Sequence, residues 1–343
     1  MEKSKITLFI DPSYNVFYQD RLFDINNLSI NRDDMLQPFF RLKVTLNDEA
    51  IPVRTADYLY EEGSLSSENH YWSLGILKNY PELLNREGIK LKYFFMMEPP
   101  AVASHLYRAL PQLTRYFERV YVHNTVGDGY SLKGVDQSRL RSFFWPQPYA
   151  DVLESHWNNQ DRKKRIVVIN GNHIPRSFKN QLYSKRITAM ASLAKLGIVD
   201  LYGRGWDKWW SHRSMWPPYW FNYKTLMSIY RGACDSKYAV LSQYSFSLCF
   251  ENMVMKGYVT EKIFDCLYAG TIPLYLGAKD IESLIPPEAY IDCRQFSSWS
   301  EMGEAVMAMT DAEILKMKEA GKAFIQSDRY LNYYNSLINI FKD

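Results

Sequence analysis

Five consecutive residues, Tyr258-Val259-Thr260-Glu261-Lys262, put a phenol, a hydroxyl, a carboxylate and an ammonium into one short stretch of chain. Residues 260–269 read as a helix stopped by Gly270, with Thr260 at its N-cap. A helix N-terminus offers unbonded N–H groups and the positive end of a dipole, a setting that suits an anionic group. Lys262 would add a full charge and Tyr258 a phenolic donor. Glu261 would repel an anion, so it is expected to turn toward hydroxyls, from which a carboxylate accepts. Arg186, on a helix expected over 178–196, and Arg204, at the end of a strand expected over 199–202, are further cations. Asn252 follows a strand expected over 246–250 and offers an amide. In the first half Glu98 ends the apolar run 89–97 and is followed by Pro99-Pro100. A carboxylate at the C-terminal end of a parallel strand lies where α/β proteins place ligands, and it has the chemistry of a general base. His105 and His123 are alternatives for that role.

Each of these residues has a plainer reading. Glu261 and Lys262 suit a solvated first helical turn, where charges often sit. Tyr258 would serve as a half-buried aromatic, Asn252 as a turn cap, and Arg204 as an exposed loop arginine. Arg186 shares its helix with Lys179 and Lys185, which suits a solvated face.

The elements that must position these groups alternate between strand and helix. Strands are expected over 5–10, 89–97 and 119–123, with helices over 71–84 and 101–117. A Pro- and Asn-containing stretch and a charge cluster between 145 and 165 read as a linker. A second series comes after it, with strands over 165–170, 199–202, 246–250, 272–276 and 290–292. The final stretch, 301–343, is expected to be helical with breaks near Thr310 and Ser327. Strands alternating with helices argue for parallel sheets, and 343 residues exceed the usual size of one core. The expected organisation is therefore two Rossmann-like α/β domains facing a central cleft. The first spans 1–158 and the second 160–327, with a C-terminal helix, 328–343, that is a candidate to pack on the first.

Composition narrows the function classes. With 47% apolar and 23% charged residues the chain is globular. A formal net charge of +3 argues against a dedicated nucleic-acid binder. Neither half carries G-x-G-x-x-G, which disfavours a dinucleotide dehydrogenase. No D-x-D pair offers metal ligands, and Gly127-Asp128-Gly129 reads as a turn. The four cysteines lack zinc spacing and read as free thiols. The apolar stretch 6–10 is too short for a signal-peptide core, and no run approaches the ~20 residues of a membrane span. A cytoplasmic location is expected, with peripheral contact to a membrane surface left open. Residues 206–220 hold five of the nine tryptophans; a packed loop, an aromatic acceptor platform and a membrane-surface patch all fit them.

Residues 246–277 read FSLCFENMVMKGYVTEKIFDCLYAGTIPLYLG. This stretch resembles the donor-binding signature of the α-1,3/4-fucosyltransferases, glycosyltransferase family 10, in the F-E-N run, the unbroken Y-V-T-E-K and the strand ending in Gly277. Arg186 with Leu193, Tyr202-Gly203, and Pro286 with Tyr290-Ile291-Asp292 extend the resemblance, which covers most of the chain after about residue 165. Glu98-Pro99-Pro100 resembles the family's acidic-x-Pro element at the acceptor cleft. Ser245 departs from a common lysine, and Met96-Met97 replace polar residues often found there. The resemblance implies a metal-independent GT-B enzyme needing no cofactor. It would transfer fucose from GDP-fucose, with inversion, to a hydroxyl of an oligosaccharide or glycolipid. Arg186, Asn252, Tyr258, Thr260, Glu261, Lys262 and Arg204 would bind the donor, and Glu98 would act as base. Another GDP-hexose as donor, or a catalytically silent GDP-sugar or glycan binder, are the alternative readings.

Overall fold

The computed structural model describes residues 6–61, 63, 65–208 and 216–343. The chain divides into two compact units, one of residues 1–148 and 332–343, the other of residues 149–331.

Unit 1 is built on six strands: β1 Ile6–Asp11, β2 Val53–Thr55, β3 Glu68–Ser73, β4 Ile89–Phe95, β5 Arg119–Val122 and β6 Leu140–Ser142. They lie in the order β2-β1-β3-β4-β5-β6, every pair parallel. Successive side chains of a strand face opposite sides of a sheet, and the two cores obey that alternation. Leu8, Ile10, Trp72, Tyr93 and Phe95 bury on one face, with Leu42 and Leu46 of α1 (Gln37–Asp48) and with Leu337 and Ile340 of the C-terminal helix Ser336–Lys342. Phe9, Tyr71, Phe94 and Met96 bury on the other. There they pack with Leu83 of α2 (Tyr80–Leu83) and with Leu106, Leu110 and Leu113 of α3 (Pro100–Tyr116). A parallel sheet covered on both faces reads in sequence as near-continuous apolar runs.

The helix expected over 71–84 is not formed. Residues 68–73 are strand β3, and only Tyr80–Leu83 is helical. Tyr71 and Trp72 favour a pleated surface, and Gly75, at φ +85°, turns the chain out of the strand. The short strands β2 and β6 and the helix α1 lie where no element was expected.

Unit 2 carries β7 Lys163–Ile169, β8 Val199–Tyr202, β9 Tyr244–Phe250, β10 Ile272–Leu276 and β11 Ile291–Asp292, in the order β11-β10-β9-β7-β8, all parallel. Every residue of β9 and β10 is buried. Its helices are α4 Glu154–Trp157, α5 Tyr183–Lys195, α6 Pro217–Ile229, α7 Lys237–Leu241, α8 Glu261–Ala269, α9 Ile281–Leu284, α10 Trp299–Ala308 and α11 Asp311–Ile325. α5 starts five residues later than expected, because residues 180–182 instead pair with the chain that leaves β9. Gly270, at φ +70°, ends α8 as its left-handed cap. α10 and α11 break at Thr310, whose side chain and Glu313 form a capping box.

Candidate active site

In unit 2 the chain leaves β9 at Phe250, crosses the carboxyl ends of the strands, and enters α8 at Glu261. This crossing is pinned by its backbone. Glu251 N–H donates to the Leu276 carbonyl at 2.9 Å, Leu182 N–H to the Asn252 carbonyl at 3.0 Å, and Val254 N–H to the Asn180 carbonyl at 2.8 Å. Gly257, at φ +71°, donates its N–H to Asp280 Oδ1 at 2.8 Å.

The carboxylate of Glu251 organises the head of α8. It is fully buried. Its Oε1 accepts the Thr260 N–H at 2.8 Å, and its Oε2 accepts from Lys262 Nζ at 2.9 Å. Thr260 Oγ1 lies 3.0 and 2.9 Å from the two carboxylate oxygens and 2.8 Å from Lys262 Nζ. A hydroxyl has one proton, so Thr260 donates to Glu251 and accepts from Lys262. Thr260 holds the N-cap position in extended backbone, but its side chain makes no cap bond to α8. Thr260 is thus the N-cap residue that the sequence predicts, with its hydroxyl taken by Glu251 rather than by the first turn.

Lys262 keeps a third N–H, and Glu261 lies 3.6 Å from it. Burial would lower the lysine, yet Glu251 and Glu261 outweigh it and hold the ammonium above its ordinary value. Burial would raise Glu261, but Lys262, Lys237 and the helix start keep its carboxylate below the usual range. Both are therefore charged at neutral pH.

Arg186, in the first turn of α5, is 4% exposed. Nη2 donates to the carbonyls of Phe250 at 2.6 Å and Glu251 at 3.0 Å. Asn170, its amide turned to present oxygen, accepts from Nη1 at 2.6 Å and Nε at 2.8 Å. Four of the five guanidinium N–H groups are thus engaged at the ends of β7 and β9. Burial lowers its pKa, with Tyr183 and Glu251 opposing; an arginine remains a cation regardless. Lys262 and Arg186 each feel the other's charge.

Tyr258 is buried, and its carbonyl accepts from Tyr275 OH at 3.4 Å. Asn252 is half-buried and contributes the backbone pairing already described. Arg204 is exposed after β8, beside Gly203. Gly203 adopts φ +140°, and a Cβ there would stand 2.0 Å from the Asn170 carbonyl, so only glycine lets β8 close on β7 at this point. Trp206 is buried with its indole N–H on the same carbonyl at 2.6 Å. Residues 209–215 of the Trp-rich stretch lie outside the described residues. Trp216 is buried, whereas Trp220 is 56% exposed.

In unit 1 Glu98 is half-buried between the end of β4 and Pro99, the N-cap of α3. Tyr107, one face along α3, is buried; burial first, then Tyr130 and Glu98, raise its pKa, and its hydroxyl oxygen has no hydrogen-bond partner. His123 is buried, its Nε2 3.2 Å from the Met97 carbonyl and its ring against Phe143 and Trp145. His105 lies exposed on α3.

Three residues of the site had no role assigned from sequence: Glu251, Asn170 and Gly277. Glu251 carried a signal, because an acidic residue closing a largely apolar strand must be paired if it is buried. A Cβ at Gly277 would stand 2.5 Å from both Glu251 Cγ and Tyr275 OH, so the glycine makes room for that carboxylate. Asn170 gave no signal, since its partner lies on another element.

Among the described residues no group of three or more His, Cys, Asp or Glu could hold a metal ion, and no helix is long and apolar enough to cross a membrane. All four cysteines are free.

Comparison with known proteins bears on the same segment. Residues 159–317 match the model of the glycosyltransferase family 10 (fucosyltransferase) C-terminal domain. An alpha-(1,4)-fucosyltransferase of Arabidopsis thaliana is 36% identical over 77 residues, 22% of this chain and 19% of that protein. The alpha-(1,3)-fucosyltransferase FucT of Helicobacter pylori is 41% identical over 66 residues, 19% of this chain and 14% of that one. The chain thus matches less than a fifth of the length of these relatives. A crystal structure of an alpha1,3-fucosyltransferase aligns with all of this chain and 92% of its own, with a TM-score of 0.52 at 14% identity. A DNA-modifying beta-glucosyltransferase aligns with 99% of this chain and 100% of its own, with a TM-score of 0.51 at 11% identity. These likenesses show the fold, two parallel-sheet α/β units of the GT-B glycosyltransferase kind. The family likeness of this chain, to the glycosyltransferase family 10 (fucosyltransferase) C-terminal domain, extends over residues 159–317.

Proposed function

We propose that the chain is an inverting transferase that moves fucose from GDP-fucose to a hydroxyl of an oligosaccharide or glycolipid acceptor. The observation that carries this reading is the Glu251-Thr260-Lys262 network at the head of α8, inside the segment that matches the family. A buried carboxylate holds an ammonium beside a helix N-terminus, which is the equipment for receiving a diphosphate. Lys262 would exchange its contact with Glu261 for a phosphate oxygen while staying tied to Glu251. Glu261, released, would accept from hydroxyls of the donor. Arg186 would act chiefly through its charge and through its hold on the strand ends.

In the reaction Glu98 takes the proton of the acceptor hydroxyl as that oxygen bonds to the anomeric carbon. The bond from that carbon to the β-phosphate oxygen breaks, and GDP leaves with the electron pair. Positive charge from Lys262, Arg186 and the α8 N-terminus stabilises the leaving group electrostatically. Inversion of a β-linked donor gives an α-linked product. The leaving charge has protein cations to meet it, so no metal is required in this scheme, and turnover is expected to survive excess EDTA.

Calorimetry with GDP tests the donor site. Lys262→Ala should lose about 1.5–3 kcal/mol of binding, the contribution of a hydrogen bond to a charged group. Unchanged GDP affinity would place the diphosphate elsewhere.

A further inference from the structure

Unit 1 holds a cavity that the donor chemistry leaves unused. It measures about 410 Å³ and is walled by four separate pieces of chain: Asn15 and Tyr18, Asp57 and Tyr60, Tyr71 of β3, and Asn79 and Glu82. Small-molecule sites run from about 300 to 1,000 Å³, so this one admits a small ligand.

Behind the wall lies Asp11, the last residue of β1 and fully buried. Its carboxylate accepts from Tyr18 OH at 2.6 Å, from Asn79 Nδ2 at 2.9 Å, and from Tyr71 OH. Asn79 also donates to Tyr18 OH at 3.0 Å. Burial raises the Asp11 pKa against these bonds, so the anion is held at a cost to stability. What the cost secures is fixed geometry, since Tyr18, Tyr71 and Asn79 all line the cavity. Locking lining side chains from behind is how a binding site is preorganised.

The lining also selects a class of ligand. Two carboxylates, Asp57 and Glu82, face a single ammonium, Lys78, which disfavours an anion. Asp57 Oδ2 accepts the Gln19 N–H at 3.0 Å, which fixes that carboxylate on the cavity wall. Tyr60 is 59% exposed, with its hydroxyl 3.4 Å from Glu82. An apolar ring face beside amide and carboxylate acceptors matches a neutral ring with an apolar face and many hydroxyl donors.

We infer that this cavity is a subsite for one neutral pyranose unit of the acceptor, an inference that rests on the transferase reading above. Asp11 ends β1, and Glu98 follows β4, at the same end of a parallel sheet. Only β3 lies between those strands, so they stand about 10 Å apart. An acceptor reaching both places is an oligosaccharide, with the reacting hydroxyl on one unit and the cavity holding another.

Saturation-transfer NMR on the full chain without nucleotide tests this, with the methyl glycosides of galactose, glucose, mannose and N-acetylglucosamine as probes. At least one should bind. Tyr60→Ala and Glu82→Gln alter exposed residues, so the fold should survive, and each should weaken that binding by about tenfold while GDP affinity by calorimetry stays the same. In turnover, the same variants should raise KM for an oligosaccharide acceptor and leave KM for GDP-fucose alone. The inference is overturned if no glycoside binds, if neither variant changes the affinity, or if inorganic phosphate displaces the sugar. Failure of the transferase reading looks different: GDP would not bind, while the glycoside and its sensitivity to Tyr60→Ala would persist.

Discussion

Replacing Glu251 by Ala removes the acceptor for Thr260 N–H, for Thr260 Oγ1 and for Lys262 Nζ in one step. Removing one member of a buried ion pair destabilises by about 3–5 kcal/mol, because the other charge is left unsatisfied. Lys262 retains 25% side-chain exposure and can recover some hydration, which favours the lower figure, about 3 kcal/mol. Unit 2 comprises residues 149–331, a size at which each kcal/mol moves Tm by about 2–4 °C, so a fall of roughly 6–12 °C is expected. Scanning calorimetry of the full chain measures it, and the transition of unit 2 is the one that should move. Glu251→Gln keeps an acceptor for the Thr260 N–H but not the charge for Lys262, and should lose less stability yet still weaken GDP binding. A Glu251→Ala protein melting within about 2 °C of the parent, the range of an inert surface change, would refute the reasoning. Glu251 would then be a passenger in the network rather than its anchor.

Three other substitutions probe the packing, the buried charge and the base. Gly277→Ala should destabilise by about 1–3 kcal/mol through overpacking against Glu251 and Tyr275, and an unshifted melting curve would show that the crossing can yield. Asp265, buried against Lys237 and Tyr238, has its pKa pushed up by burial to about 6. The folded state therefore holds that proton more tightly than the unfolded chain, so stability falls as pH rises from about 4 to about 6. Asp265→Asn should gain on the parent in Tm across that window, and a constant gap would contradict the assignment. Glu98→Gln keeps shape and hydrogen bonding but cannot take a proton, so kcat should fall about 10²–10⁴-fold with GDP affinity unchanged; near-normal kcat would direct attention to His105 or His123.

Several elements of unit 2 were legible because their signals are local. The strands Val199–Tyr202 and Ile272–Leu276 agree with the expected bounds, and Gly270 stops α8 where its freedom at positive φ predicts. β3 was misread as helix because apolar residues between 71 and 84 satisfy a helical period as well as a strand followed by a turn. The short strands β2 and β6 have three residues each, too few for any period to register. Within the site, the five-residue run ending at Lys262 announced its chemistry, but not how its charges are balanced. The partner of Lys262 is eleven residues back, and the Asn170 that receives Arg186 of α5 stands just past the end of β7. Pairings across that distance are made by the sheet, and no spacing rule encodes them. The cavity of unit 1 was beyond reach for the same reason, since its walls come from segments about forty residues and twenty residues apart in sequence, joined only by the order of β1, β2 and β3.

The central claim is that this chain takes a GDP-sugar at the head of α8 and transfers its sugar, and release of GDP from nucleotide sugars measures that most directly. Incubated with an oligosaccharide acceptor, the protein should release GDP from GDP-fucose faster than from GDP-mannose, and no UDP from UDP-glucose. Lys262→Ala should slow that release, and Glu98→Gln should nearly abolish it. Release of UDP in preference to GDP, or release from GDP-fucose that neither substitution alters, would contradict the account.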